Sequence, residues 1–386
     1  MTRALIVCVV GTRPEAVKLA PVVIALQAHP RLKPLLVSTG QHRELVGEAL
    51  ADFGLAVDHD LDLMQVAQRP VDLLGNALSR LADYFETHSP AAVIVQGDTI
   101  SALAAAQAAA LTGTPLVHVE AGLRSGDVAA PFPEEHNRRL IAQLAGWHFA
   151  PTVTARDALL REGIEPATIE VTGNTGIDAL RLIEAHLDGD AQLRARAVAA
   201  LPRPGTRPLL VVTAHRRESH GAPLAAIAAA LADLAAHDGL EIVVPVHPHP
   251  AVQAAFVPLT GHPNIHLVAP LPYPMFISLL RRAFAVLTDS GGVQEEAPAL
   301  GIPTLVLRDL TERDAGLASG NARLVGTGTE AIITAVRGLL DDRHLRARMS
   351  EPALLYGDGA AAPRIVATLD RLYGSADARA ELLEYA

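Results

Sequence analysis

The run Ala4-Leu5-Ile6-Val7-Cys8-Val9-Val10, followed at once by Gly11-Thr12-Arg13-Pro14-Glu15, decides the fold class of this chain. Consecutive apolar, largely β-branched residues of this length predict a strand buried on both faces, as in the interior of a parallel sheet. The glycine turn ends the strand, and Pro14 is well placed as the first residue of a helix. Working outward, the same unit recurs: 35–39, 92–96, 115–119, 147–150 and 169–172 read as strands, with helical stretches such as 70–87 and 99–111 between them. Residues 185–208, rich in Asp, Arg and Ala and closing on Pro202, Pro204, Gly205 and Pro208, read as a linker flanking a helix. Beyond it the pattern restarts with strands at 209–213, 242–246, 265–268, 285–288 and 304–307 and helical stretches such as 222–236. Two consecutive βα arrays predict an α/β protein of two doubly wound, Rossmann-like parallel-sheet domains facing one another across a cleft. No short internal repeat is visible.

Composition narrows the function classes. A chain of 386 residues suggests two or three domains, and 50% hydrophobic with 19% charged residues excludes a disordered chain. The net charge of −10 argues against nucleic acid as a partner, and a phosphate-bearing ligand would need a local basic pocket. The single cysteine, Cys8, cannot form an intrachain disulfide, which suits an intracellular protein, and it reads as a small buried hydrophobe rather than a catalytic thiol. The N-terminal apolar run is too short for a signal peptide and ends in charge. No stretch approaches 18 strongly apolar residues, so the expectation is a soluble, cytoplasmic protein without a membrane partner.

In doubly wound sheets, ligands bind at the carboxyl ends of the strands. Arg13 supplies a positive fork there, beside a helix N-terminus. Neither G-x-G-x-x-G after a strand nor G-x-x-x-x-G-K-[ST] occurs, which removes most support for a dinucleotide-dependent dehydrogenase or a P-loop enzyme. The strand 92–96 runs into Gly97-Asp98-Thr99, and 115–119 runs into Glu120-Ala121-Gly122-Leu123-Arg124. Glu134 and Glu135 follow Pro131-Phe132-Pro133 at a helix start, where charge complementing the helix dipole is the plain reading. Carboxylates delivered to one sheet edge point instead to acid/base chemistry, because neighbouring acids drive their pKa values apart.

The second array ends its first strand in Ala214-His215-Arg216-Arg217-Glu218-Ser219, a plausible clamp for a diphosphate. Strand 285–288 leads into Asp289-Ser290-Gly291-Gly292-Val293-Gln294-Glu295-Glu296, where small residues let backbone N–H groups approach a phosphate and Glu296 could accept from ribose hydroxyls. His247-Pro248-His249-Pro250, with His262 and His266 downstream, invites a metal. The single Cys and the rigid prolines argue against one, and no metal or other cofactor is expected.

Taken together, these motifs resemble the non-hydrolysing UDP-N-acetylglucosamine 2-epimerases. Gly11–Glu15, Gly97–Thr99, His118–Arg124, Pro133-Glu134-Glu135-x-Asn137-Arg138, Thr172-Gly173-Asn174-Thr175, His215–Glu218 and Thr288–Glu296 occur in family order, and the resemblance spans Gly11 to about Gly359. It implies a glycosyltransferase B-type fold and a homodimer binding UDP-N-acetylglucosamine and UDP. It implies an N-terminal domain at 1–175 carrying the acid/base groups, a UDP-binding domain at 176–363, and a C-terminal helix, about 364–386, packing back on the first. By resemblance the acid/base carboxylates fall on Asp98, Glu120 and Glu134, and Lys18 lies near the sugar. The uridine-diphosphate contacts fall on Arg13, His215, Phe276, Ser290, Gly291, Gly292, Glu296 and Arg313. Many bacterial members use a second UDP-N-acetylglucosamine molecule as activator; the matching positions here include Gln41, His42, Gln68, Arg216 and His247.

The chemistry agrees with the resemblance. C2–H of a sugar nucleotide adjoins an acetal and is not acidic, so without a nicotinamide the accessible route is elimination of UDP to a 2-acetamidoglucal and re-addition after reprotonation on the opposite face. That route needs several carboxylates around the ring and a cationic clamp for the leaving group. The rivals are a hydrolysing epimerase releasing N-acetylmannosamine and UDP, a glycosyltransferase on the same fold, and a non-catalytic nucleotide-sugar binder. Four departures stand out. Asp314 follows Arg313 and Leu355 precedes Tyr356 where the family has Pro; Glu44 and Ala67 stand where activated members have Gln and Arg. Loss of that Arg predicts weak or absent activation by substrate.

Overall fold

The computed structural model describes residues 3–64, 68–129, 131–199, 207–237 and 239–375. They fall into two compact units, one drawn from Met1–Leu182 and Tyr356–Ala386, the other from Ile183–Leu355. The first is built on β1 (Ala4–Val10), β2 (Leu32–Ser38), β3 (His59–Asp60), β4 (Ala92–Gln96), β5 (Leu116–Val119), β6 (Trp147–Ala150) and β7 (Ile169–Val171). These seven strands form one parallel sheet in the order β3-β2-β1-β4-β5-β6-β7. The second unit repeats the plan with β8 (Leu209–Thr213), β9 (Glu241–Pro245), β10 (Ile265–Val268), β11 (Ala285–Thr288), β12 (Thr304–Val306) and β13 (Ala322–Leu324). Its order is β10-β9-β8-β11-β12-β13, again parallel. In both sheets the strand order reverses beside the first strand, between β1 and β4 and between β8 and β11. A crevice opens at such a reversal because the flanking crossovers leave on opposite faces of the sheet.

The continuous apolar strands lie where their composition demands. Val7, Val9, Val93 and Val95 are buried against the helix Ile100–Leu111, whose Ala and Ser side chains let it lie close to the helix Pro70–His88. In the second unit Leu210, Val212, Ile242, Val244 and Leu287 pack with the helices Ala222–His237 and Thr329–Asp341. Each Val, Leu or Ile buried in this way contributes roughly 1.5–3 kcal/mol.

The differences from expectation have local causes. β3 and β13 are too short to register as apolar runs. The expected linker holds two helices, Thr175–Gly189 and Ala191–Ala199, because its Ala, Leu and Arg are strong helix formers; residues 200–206 lie outside the described residues. The returning helix is Ala361–Tyr373, packed on the helix Arg13–Gln27. Its start is fixed by Asp178, which accepts from the Ala361 N–H at 3.2 Å and the Ala362 N–H at 2.8 Å. Residues 376–386 of the segment expected there lie outside the described residues. Among the described residues no helix is long and apolar enough to cross a membrane.

Candidate active site

At the strand-order reversal of the first unit, the turn after β1 is closed from within. Glu15 Oε2 accepts from the backbone N–H groups of Gly11 at 3.0 Å and Thr12 at 2.7 Å and from the Thr12 hydroxyl at 2.8 Å. Its Oε1 accepts from the Thr99 hydroxyl at 2.5 Å, tying the turn after β1 to the turn after β4. Burial pushes the Glu15 carboxyl up to about 7, against the hydrogen bonds from Thr99, Thr12 and Gly11 that pull it down. Pro14 is the second residue of the helix and Arg13 the first. The N–H groups of Gly11 and Thr12 are thus engaged by Glu15, and the anion-attracting group this turn can offer is the half-buried Arg13 side chain. Only glycine fits at position 11, since a Cβ there would overlap the Ser101 hydroxyl.

The acids form a connected constellation along the edge of β4 and β5. Glu120 follows β5 in a left-handed conformation at φ +66°, a strained state for a residue other than glycine. Lys18 Nζ lies 2.6 Å from its Oε1, the Asn174 amide donates to the same oxygen at 3.0 Å, and Gln96 Nε2 donates to Oε2. Lys18, expected near the sugar, is therefore the counter-ion of Glu120. Asp98 sits one residue beyond Gly97, whose N–H donates to the Val119 carbonyl in the last rung of the β4–β5 ladder. Its carboxylate pairs with Arg138 at 2.5 Å, and its carbonyl accepts from the Asn137 amide at 2.8 Å. Arg138 and Asn137 belong to the helix Glu134–Leu144, so the first turns of that helix dock on the β4 turn and bring Glu134 to the same edge. Glu134 is half-buried, and its carboxylate has no hydrogen bond or ion pair among the described residues.

Its neighbour behaves differently. Glu135 is fully buried and accepts from the Ser125 N–H and from Arg138, both at 3.1 Å, so it is a structural anchor rather than a charge complementing the dipole from solvent. Beneath the acids, buried His118 donates from Nε2 to the Gly97 carbonyl at 2.8 Å. Burial pushes its imidazole down to about 3, which leaves it a neutral strut.

In the second unit, Asp289 is buried at the reversal between β8 and β11. Its Oδ2 accepts from the backbone N–H groups of His215 at 2.7 Å and Arg216 at 2.8 Å. The half-buried His215 ring stacks on His247, with centroids 5.4 Å apart and planes 14° from parallel. Ser290 holds the N-cap position of the helix Gly291–Ala299 without a side-chain capping bond, and the first turn carries Gly291 and Gly292. A Cβ at Gly291 would stand 2.9 Å from the Arg313 guanidinium carbon, so Arg313 lies directly against the turn. That guanidinium is held from behind, with Nε donating to Glu295 at 3.0 Å and Nη1 to Glu312. Glu296 accepts from the Tyr273 hydroxyl at 2.7 Å, a partner the sequence did not suggest for it, and Phe276 is half-buried on the same helix as Tyr273.

The positions matched to an activator divide between the units. In the first unit Gln41 accepts from Ser101 at 2.7 Å, and the His42 N–H donates to the Gly11 carbonyl at 2.9 Å; burial lowers the His42 pKa. Gln68 belongs to the same unit, whereas Arg216 and His247 flank His215 in the second. Ala67 lies outside the described residues, while Glu44 lies in the first turn of the helix Arg43–Ala51. Among the described residues no group of three or more His, Cys, Asp or Glu is arranged to hold a metal. Glu15, Gln96, Arg138, Asn174 and Asp289 were not singled out by sequence. All but Gln96 lie inside the quoted motifs, which was the available signal.

Residues 24–370 match the protein family described as UDP-N-acetylglucosamine 2-epimerase. The chain belongs to that family. It is 42% identical over 367 residues to the UDP-N-acetylglucosamine 2-epimerase of Escherichia coli strain K12, an alignment covering 94% of this chain and 98% of that one. It is 39% identical over 376 residues to that of Bacillus subtilis strain 168, covering 97% of each. The crystal structure of the Neisseria meningitidis epimerase bound to UDP-GlcNAc superposes with a TM-score of 0.92 at 38% identity, covering 95% of this chain and 99% of that one. A glycosyltransferase from Rickettsia africae, 14% identical with a TM-score of 0.60, shares the fold alone. The epimerase family fold is accordingly of the glycosyltransferase B type.

Proposed function

We propose that the protein interconverts UDP-N-acetylglucosamine and UDP-N-acetylmannosamine at C2 by elimination and re-addition of UDP. The observation that carries this reading is the gathering of Asp98, Glu120 and Glu134 at one sheet edge, two of them held by the buried cations Arg138 and Lys18. The first unit would take the sugar and the second the uridine diphosphate. A carboxylate removes the C2 proton, the C2–H pair becomes the C1=C2 double bond, and the C1–O pair leaves with UDP. Lys18, fixed on Glu120, balances negative charge beside the ring, and in the second unit His215 with the Gly291 helix turn stabilises the departing diphosphate. Reprotonation of the 2-acetamidoglucal on its other face and return of UDP give the epimer. No redox step arises, so no nicotinamide is required.

The hydrolysing alternative differs only in whether water reaches C1 before UDP returns. The motifs Gly11–Glu15, His118–Arg124 and Thr288–Glu296, which resemble those of the non-hydrolysing enzymes, favour that branch. We also infer a cytoplasmic homodimer, an inference resting on resemblance that sedimentation analysis would test. Proton NMR of the protein with UDP-N-acetylglucosamine in deuterated water tests the reaction directly. UDP-N-acetylmannosamine carrying deuterium at C2 is expected; free N-acetylmannosamine with UDP would transfer the protein to the hydrolysing branch. Asn at position 98, or Gln at 120 or 134, should each lower turnover at least about 100-fold, in the range of lost acid/base catalysis. Near-normal turnover in all three would end the mechanism.

A further inference from the structure

Asp289 bears on the leaving-group half of the reaction, and the argument rests on the function proposed above. Its carboxylate is fully buried and spends Oδ2 on the N–H groups of His215 and Arg216. The other oxygen, Oδ1, receives no hydrogen bond from any described residue and faces His215 Nδ1 at 3.5 Å. A buried carboxylate oxygen left without a donor is unfavourable, and the nearby ring nitrogen is the group able to relieve it. Its neighbour in sequence, Ser290, holds the N-cap position of the helix Gly291–Ala299.

We propose that Asp289 is a positioning residue that selects the tautomer of His215. With Oδ1 facing Nδ1, the neutral ring carries its proton on Nδ1 and presents Nε2 as an unprotonated nitrogen, its plane held by the stack on His247. When the diphosphate binds, Nε2 takes up one proton from solvent, and that N–H donates a charge-assisted hydrogen bond to the oxygen that becomes anionic as C1–O breaks. Asp289 balances the ring charge through Nδ1–H. The proton stays on Nε2 through elimination and re-addition and is released to solvent when the nucleotide sugar leaves, so the cycle involves no net proton change. Asp289 itself, being buried, touches neither sugar nor phosphate.

Asp289→Asn is the informative substitution, because one amide oxygen can still serve both backbone N–H groups. The amide nitrogen must then face Nδ1, which turns Nδ1 into an acceptor and moves the neutral proton to Nε2. The test is 15N NMR of histidine-labelled protein, recorded without ligand on the deprotonated ring, alongside turnover. In the wild type, the His215 Nδ1 signal should be that of a protonated nitrogen and the Nε2 signal that of a bare one; in Asp289→Asn the two should exchange. Turnover should fall about 100-fold, as when a residue orienting a reacting histidine is lost, with UDP affinity changed less than about threefold. In a His215→Gln background, adding Asp289→Asn should change the residual turnover less than about threefold. A wild-type ring protonated on Nε2, or an equal loss from Asp289→Asn in both backgrounds, would overturn the proposal. Absence of epimerisation by the wild type would defeat the functional reading, while the ring signature would still decide the role of Asp289.

Discussion

Replacing Glu15 by Gln should make the protein less sensitive to pH between about 4.5 and 7. The folded carboxyl sits at about 7 and its ordinary value is 4.5, a rise caused chiefly by burial. A pKa raised on folding means that the native state binds the proton more tightly than the unfolded chain. The associated stability is therefore fully present below about 4.5 and is lost as pH rises through 7. At 1.36 kcal/mol per pKa unit the loss amounts to about 3 kcal/mol. Glutamine imitates the neutral acid, because its oxygen can serve the Gly11 and Thr12 N–H groups while its amide nitrogen faces Thr99 Oγ1. Urea unfolding of both proteins from pH 4.5 to 8 gives a difference free of every other titrating group. Near pH 4.5 the two should be equally stable, and by pH 8 the variant should be the more stable by about 3 kcal/mol. A difference that stays constant across the window, or a wild type that gains on the variant as pH rises, would refute the reasoning.

Arg138→Leu removes the cation shared by Asp98 and Glu135 and leaves a buried carboxylate under-compensated, which should lower stability by about 3–5 kcal/mol in chemical unfolding. Arg138→Lys should recover much of that stability but not full turnover, since one ammonium cannot reproduce the fork to both acids. Gly291→Ala forces a methyl group to 2.9 Å from an Arg313 guanidinium pinned by Glu295 and Glu312, and KM for the nucleotide sugar should rise about tenfold, equivalent to about 1.4 kcal/mol. With Glu44 and Ala67 in place of Gln and Arg, the rate should follow substrate hyperbolically; a sigmoidal curve made hyperbolic by trace UDP-N-acetylglucosamine would count against the loss of activation.

The sheets were legible because buried parallel strands announce themselves as unbroken apolar runs, and β1, β4 and β6 begin and end where those runs do. Their order was not, since no local pattern in β13 says that it pairs with β12. Asp98 and Glu120 were legible as acids just past strand ends. The parts that hold them were harder to see. Glu135 read as charge complementing a helix dipole, yet it is buried with Asn137 and Arg138 because each neutralises or hydrogen-bonds a group on a neighbouring turn. Burial of paired charges leaves no hydrophobic signature along the chain. Asp289 escaped for the same reason, as its partners are backbone N–H groups that every sequence possesses.

In each unit, the turn after the first strand is clasped by a carboxylate of the protein itself, Glu15 on Gly11 and Thr12, Asp289 on His215 and Arg216. Those paired N–H groups are the ones a dinucleotide-binding fold offers to a cofactor's pyrophosphate. Here an internal acid has taken the pyrophosphate's seat. Grafting the missing glycines into either turn would therefore not create a nicotinamide site, because the resident carboxylate would repel the incoming phosphates. Among the described residues, the first turn of the Gly291 helix, beside the second reversal, is not clasped by an internal acid in this way. A reaction that depends on releasing and recapturing one particular diphosphate gains when the protein's own acids close the neighbouring turn to it.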